Sequence, residues 1–242
     1  MNISGSRRIV SVKNSLFALA IITAVLCIYT SAARANDCPV SRPLTSVKSW
    51  IEGTRILRTK SAADMTEWQM GHKPTVGGGQ ILGLGGGEIE ANYNTGFEVS
   101  PFPGGYCVVM QELTATFVAK PQIHVASNFE EGSCEYSEVL YHEQKHIDAL
   151  RNFHLKHIND IKKKLREIAS TIPSTRPVSK DKVSEVQHQL VNYVQVKINA
   201  YFQKIMRELQ ETQQKIDSPA EYKRVAGKCR KWEQKLKDKP KK

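Results

Sequence analysis

No glycine stands between Gly132 and Gly227. A stretch that long without the residue that most readily turns a chain points to long, uninterrupted helices. Cysteine is scarce as well. Apart from Cys27 near the amino terminus there are only Cys38, Cys107, Cys134 and Cys229, and no two of these have the close spacing of a cysteine-based zinc site. No basic patch interleaved with aromatic residues occurs, nor any nucleic-acid motif, which removes nucleic acid as a partner. The apolar run "LFALAIITAVLCIY" at 16–29 has 14 residues, short of the roughly 20 that cross a bilayer. The glycine-rich stretch "TVGGGQILGLGGGEIE" lacks the Gly-Lys-Ser/Thr ending of a phosphate loop and does not open a helix as a dinucleotide loop does. It reads instead as a flexible loop or a glycine-rich hairpin.

The amino terminus places Arg7, Arg8 and Lys13 before that apolar run and Ala33-Arg34-Ala35 after it. This is the pattern of a secretory signal peptide over 1–35, so the mature chain is expected to begin at Asn36 and to keep no stable membrane anchor. Loss of 1–35 removes four cations and no acid, lowering the formal charge from +11 to +7. Much of the remaining positive charge lies in "KCRKWEQKLKDKPKK", which reads as a solvated helix end and tail. An exported chain with four cysteines is expected to carry two disulfides. Three pairings are possible. The favoured one joins Cys107 to Cys134, which flank one strand unit, and Cys38 to Cys229, which would tie the two ends together.

The mature length suits one domain, 36–242, in two unlike parts. Residues 41–130 hold candidate strands in "RILRT", "EIEANYNTGFEV", "YCVVMQEL", "TATFVA" and "QIHVAS". Residues 137–237 have helical spacing. Ile147, Leu150, His154, Ile158, Ile161, Leu165 and Ile168 form one apolar stripe, which Pro173 and Pro177 should end. Val183, Val186, Leu190, Val194, Ile198, Phe202, Ile205 and Leu209 form a second, and the two helices should fold back as an antiparallel hairpin. A shorter helix is expected from Pro219 to Lys237. The fold class is therefore α+β: a mixed or antiparallel sheet followed by a long helical hairpin.

The chemistry is concentrated in "YHEQKHIDAL" at 141–150. His142 and His146 lie one turn apart on a single helix face, so both imidazoles can reach one ion, and Glu143 projects beside them. This is the His-Glu-x-x-His arrangement of the zincins, in which two histidines hold one Zn2+ and the glutamate acts as general base on water. His154 and His157 lie about 12 Å and 16 Å along the axis from His146, too far to reach the same ion, and read as packing residues. If the hairpin turns about Pro173–Pro177, the position level with residue 144 falls near 206, which makes Glu208 the geometric candidate for a third ligand. Tyr201 and Tyr222 are candidate oxyanion donors, although core packing suits either. An edge strand beside the site, from "TATFVA" or "QIHVAS", could align an extended substrate.

The strand-rich half ending in "YCVV", then "SCEYSEVLYHEQKH" and the late "QQKIDSPAEY", resemble the DUF922 family of secreted bacterial proteins, predicted zinc proteases. The resemblance spans about Ile56 to Tyr222. It implies a single-zinc metallopeptidase-like hydrolase in the periplasm or outside the cell, acting on a peptide or protein substrate, with Asp217 as third ligand. Lys145 departs from the family pattern, which has glycine there. The rival expectation is a non-catalytic envelope protein whose hairpin binds a protein partner. The first expectation to check is processing: the intact mass of the exported protein should correspond to a chain starting at Asn36, and a mass retaining residues 1–35 would refute the cleavage site.

Overall fold

The structure is a computed structural model, and it describes residues 37–71 and 79–237. The expected signal segment 1–35 and the expected start at Asn36 lie outside the described residues. Four strands form one mixed sheet. Strands β1 (Leu44–Ile51) and β2 (Arg55–Leu57) lie in line along one edge of β4 (Gly105–Val125), both parallel to it, while β3 (Gly83–Phe102) runs antiparallel along the other edge. The turn between β3 and β4 is Pro103-Gly104: proline presets its own φ, and Gly104 takes φ +89°, which a side chain would oppose. A short helix, α1 (Ala62–Met70), stands between β2 and β3, capped by Ser61 and Asp64. Neither β1 nor α1 was among the elements expected from sequence.

The segments "YCVVMQEL", "TATFVA" and "QIHVAS" are one continuous strand, β4, with a partner on each side. None of them is an edge strand, so the expectation that "TATFVA" or "QIHVAS" aligns a substrate does not hold. His124 lies within β4, its ring 5.5 Å from that of Trp68. The glycine-rich stretch likewise is not all loop, because Gly83 to Gly87 belong to β3.

Helix α2 (Cys134–Ser170) starts at Ser133, whose hydroxyl accepts from the Tyr136 N–H, and runs 37 residues, about 55 Å. A 3-10 turn at Lys180–Lys182 leads into α3 (Val183–Ile216), which returns antiparallel to α2. The two apolar stripes face β4 and each other. Leu165 and Ile168 of α2 and Leu190, Val194 and Ile198 of α3 pack with Met110 and Leu113. Leu150, Ile161, Ile205 and Leu209 pack with Phe117. His154 stacks on Phe117 with centroids 4.7 Å apart, and His157 is buried 3.3 Å from a Glu208 oxygen, so both belong to the hairpin's packing. The expected third helix is two: α4 (Pro219–Ala226) and α5 (Trp232–Lys237), parted near Gly227.

The connection between α2 and α3 is longer than a turn about Pro173–Pro177 allows. Val178 bridges to Tyr106, and Thr175 O accepts from the Cys38 N–H, so this segment runs along the end of the sheet before α3 begins. The hairpin register shifts accordingly: residue 206 was expected level with residue 144, whereas Gln213 faces His146 two residues further on.

Two disulfides are present, and neither is the favoured pair. Cys38 bonds to Cys107, and Cys134 bonds to Cys229. The reason is the length of β4. Cys107 lies at its start and Cys134 beyond its end, and eighteen extended residues, Cys107 to His124, span about 60 Å. Cys107 therefore meets Cys38 in the segment leading into β1, while Cys134, opening α2, meets the segment after α4. In the chain-entropy picture each cross-link stabilises by about 4–5 kcal/mol, given separations of 69 and 95 residues. Two disulfides fit a chain that matures in an oxidising compartment. No helix among the described residues is long and apolar enough to cross a membrane.

The contact that places α2 on the sheet is made through glycine. A Cβ on Gly83 would lie 2.5 Å from Glu143 Oε1, and one on Gly85 would strike the Glu143 main chain, 2.9 Å from its Cα. Gly85→Ala should therefore cost about 1–3 kcal/mol in denaturant unfolding. Gly53→Ala, where nothing lies within 4 Å, should stay within about 0.5 kcal/mol. Equal effects of the two would refute the close packing.

Candidate metal centre

Helix α2 brings its first buried turns over the glycines of β3. His142, Glu143 and His146 are 7 %, 5 % and 6 % exposed, unusual for three polar groups in succession on one face. The helix periodicity explains the pairing, since Val139, His142, Glu143, His146 and Ile147 all fall on the buried side. Opposite them, α3 ends at Ile216 and Asp217 stands at its carboxyl end, just before Ser218 caps α4. The end of α3 thus delivers Asp217 to the histidines.

His142 Nε2 and His146 Nε2 lie 3.1 Å and 3.2 Å from the same oxygen, Asp217 Oδ1, and 3.4 Å from each other. Four-coordinate zinc with bonds of about 2.0–2.1 Å needs ligand atoms about 3.3 Å apart, so the triangle has the size of one face of such a tetrahedron. The outer ring nitrogens decide the tautomers. His146 Nδ1 faces Gln213 Oε1, and the same amide turns its Nε2 to donate to His146 O at 3.1 Å, which fixes Oε1 as an acceptor. His142 Nδ1 lies 3.3 Å from Glu221 Oε1. Glu221 is held ionised, its carboxyl well below the usual range through hydrogen bonds from Arg224 and, after these, from Lys145 and His142. Both Nδ1 atoms therefore donate in the neutral imidazoles, and both Nε2 lone pairs point at Asp217. Two lone pairs and a carboxylate oxygen facing one point repel unless a cation lies between them. His142, His146 and Asp217 can hold a metal ion, and their donor set fits one.

Lys145 is accounted for in the same way. Its Nζ lies 2.7 Å from Glu221 Oε1, and Arg224 bonds Glu221 through Nε at 3.0 Å and Nη2 at 2.9 Å and Glu138 through Nη1 at 2.8 Å. The cation next to His146 therefore tethers the carboxylate that orients His142 and does not face the centre. Such partners fix ligand orientation and raise ligand basicity.

Glu143 lies beside the triad under Gly85, whose N–H donates to its carboxyl. Burial pushes that carboxyl up to about 8, against the Gly85 bond, and the charge of Asp217 adds to the rise. A divalent cation on the triad acts in the opposite direction and favours the carboxylate. Tyr222 of α4 is near too. Burial pushes its phenol up to about 12, followed by the charge of Asp217 and a hydrogen bond to it.

Of the residues expected from sequence, His142, Glu143, His146, Asp217 and Tyr222 share one site. Glu208 does not. It pairs with Lys156 and faces His157, nine residues before Asp217 and about 13 Å away along a helix axis, because the long connection shifts the register. Tyr201 is packed beside Phe202 in the hairpin core, away from the triad. Gln213 and Glu221 were missed. Their signal was the spacing of four on either side of Asp217, which repeats the spacing of the histidines. Comparison with protein-family models, with curated proteins and with solved structures finds no match.

The outer partners are testable apart from any activity. Gln213→Ala and Glu221→Ala should each weaken divalent-metal binding about 10- to 100-fold in competition with a chromophoric chelator. Glu208→Ala should leave it unchanged. Equal affinities in all three would refute the assignment of Nδ1 partners.

Proposed function

We propose that the protein is a zinc-dependent hydrolase of the metallopeptidase type, exported to the periplasm or outside a bacterial cell. The observation that carries this reading is the triad of acceptors, His142 Nε2, His146 Nε2 and Asp217 Oδ1, converging on one point with Glu143 beside it. Two histidines, one carboxylate and an open fourth position make the ligand set of catalytic rather than structural zinc. The resemblance to DUF922 supports the same reading.

When bound, zinc supplies an acidified water and a Lewis acid for a carbonyl oxygen. The chain's residues do the rest. Glu143, under the Gly85 N–H, takes a proton from the attacking water and returns it to the leaving nitrogen, so that amide and water become carboxylic acid and amine. Gln213 and Glu221 keep both imidazoles in the Nε2-acceptor tautomer. Tyr222 has a hydroxyl at the edge of the site that can turn from Asp217 toward a developing oxyanion.

A second reading keeps the metal and drops the reaction. Helix α2 runs 24 residues beyond His146, about 36 Å, far more than the site needs, and this length favours a hairpin that binds a protein partner.

The test has two stages. Elemental analysis of the purified protein should find one zinc per chain, lost in His142→Ala and His146→Ala; a folded, disulfide-bonded protein that takes up no zinc would refute the centre. The zinc-loaded protein should cleave an unfolded protein substrate, and Glu143→Ala should lower that rate at least about 100-fold while retaining zinc. Zinc uptake without cleavage of any amide would leave the second reading.

A further inference from the structure

The triad opens into a cleft of about 470 Å³, and its far wall is not polar. Val139 lies one turn before His142 on α2, Val225 comes from α4, Ile81 and Leu82 come from the segment leading into β3, and Leu84 from β3 itself. Met70, closing α1, and Tyr222 of α4 line the same cleft and are 54 % and 55 % exposed. Large apolar side chains left in water around the opening of a polar cleft mark a surface that a ligand covers. Among the described residues no lysine or arginine lines the cleft, and its carboxyl groups are Glu143 and Asp217.

We infer that this wall receives a bulky aliphatic or aromatic side chain adjoining the bond that the centre attacks, and that acidic side chains are rejected there. The inference rests on the hydrolase reading of the same centre and deepens it to a substrate class, peptides with an apolar residue at the reacting bond. Two physical terms act in the same direction. Burying a side chain of leucine or phenylalanine size against the wall favours it about 10- to 100-fold over glycine. A carboxylate placed against the wall leaves water and finds no cationic side chain among the described lining residues. A small side chain leaves the apolar wall wet. The selection lies in the wall and not in the metal, so it should persist when turnover is blocked.

Binding can therefore be measured without catalysis. The zinc-loaded Glu143→Gln protein is titrated calorimetrically with capped peptides of one backbone that differ at a single position, leucine, phenylalanine, glycine or aspartate. The leucine and phenylalanine peptides should bind at least 10-fold tighter than the glycine peptide, and the aspartate peptide weakest. Met70→Glu, at an exposed position, should reduce that preference several-fold with zinc content unchanged, and Val225→Asp should do so more strongly if it folds. Equal affinities, or no binding by any peptide, would overturn the inference. In parallel, the zinc-loaded wild-type protein digests a mixture of unfolded proteins, and the cut sites are read by mass spectrometry. Cuts clustered at apolar residues support the inference, and cuts indifferent to the neighbouring side chain overturn it. Apolar preference in binding with no cuts at all would keep the apolar wall as a peptide site and refute the hydrolase reading instead.

Discussion

Much of this structure follows from one electrostatic constraint: two imidazole lone pairs and a carboxylate oxygen converge within 3.4 Å of one another in a site where both imidazoles are almost wholly buried. Such a group of acceptors repels unless a positive charge, a metal ion or a proton, lies among them. Everything around it works to hold the acceptors together. Gln213 grips both the ring and the carbonyl of His146, Glu221 faces His142, and Lys145 and Arg224 hold Glu221. The stripe of leucine and isoleucine along α2 and α3 sets the distance between the helices from which these groups project.

The burial of Glu143 is the counterpart of that constraint. A carboxyl group at 5 % exposure with one N–H donor is costly as an anion, and its elevated pKa expresses that cost. Stability is given up locally, and the glycines of β3 make the arrangement possible at all. With any side chain at Gly83 or Gly85 the strand could not come close enough to offer Glu143 its N–H. Lys145 carries no such steric role, because it points to Glu221 and adds to the outer network.

Local chemistry was legible in the sequence, and distances set by the global fold were not. His142, Glu143 and His146 could be read from a spacing of four, and the hairpin from its two apolar stripes, since helical periodicity is a local property. The α+β class followed from the same contrast between halves. Glu208 was misplaced because the register of a hairpin depends on how its connection is spent, and residues 171–182 pair with Tyr106 and Cys38 rather than closing a tight turn. The cysteine pairs were misassigned because three apparent strands are one, and a long strand carries its ends apart. Asp217 was visible only through resemblance. Gln213 and Glu221 share its spacing, but α3 ends between them, so no single helical face connects the three.

The Cys134–Cys229 cross-link joins the start of the histidine helix to the segment beyond α4, and the residues that finish the centre lie between the two. Synthesis proceeds from the amino terminus, so the two histidines exist as a half-site long before Asp217, Glu221 and Cys229 emerge. The ligand set is therefore complete only once the chain has passed both long helices. A chain cut short before Asp217 would keep both apolar stripes nearly entire while carrying an unfinished ligand set.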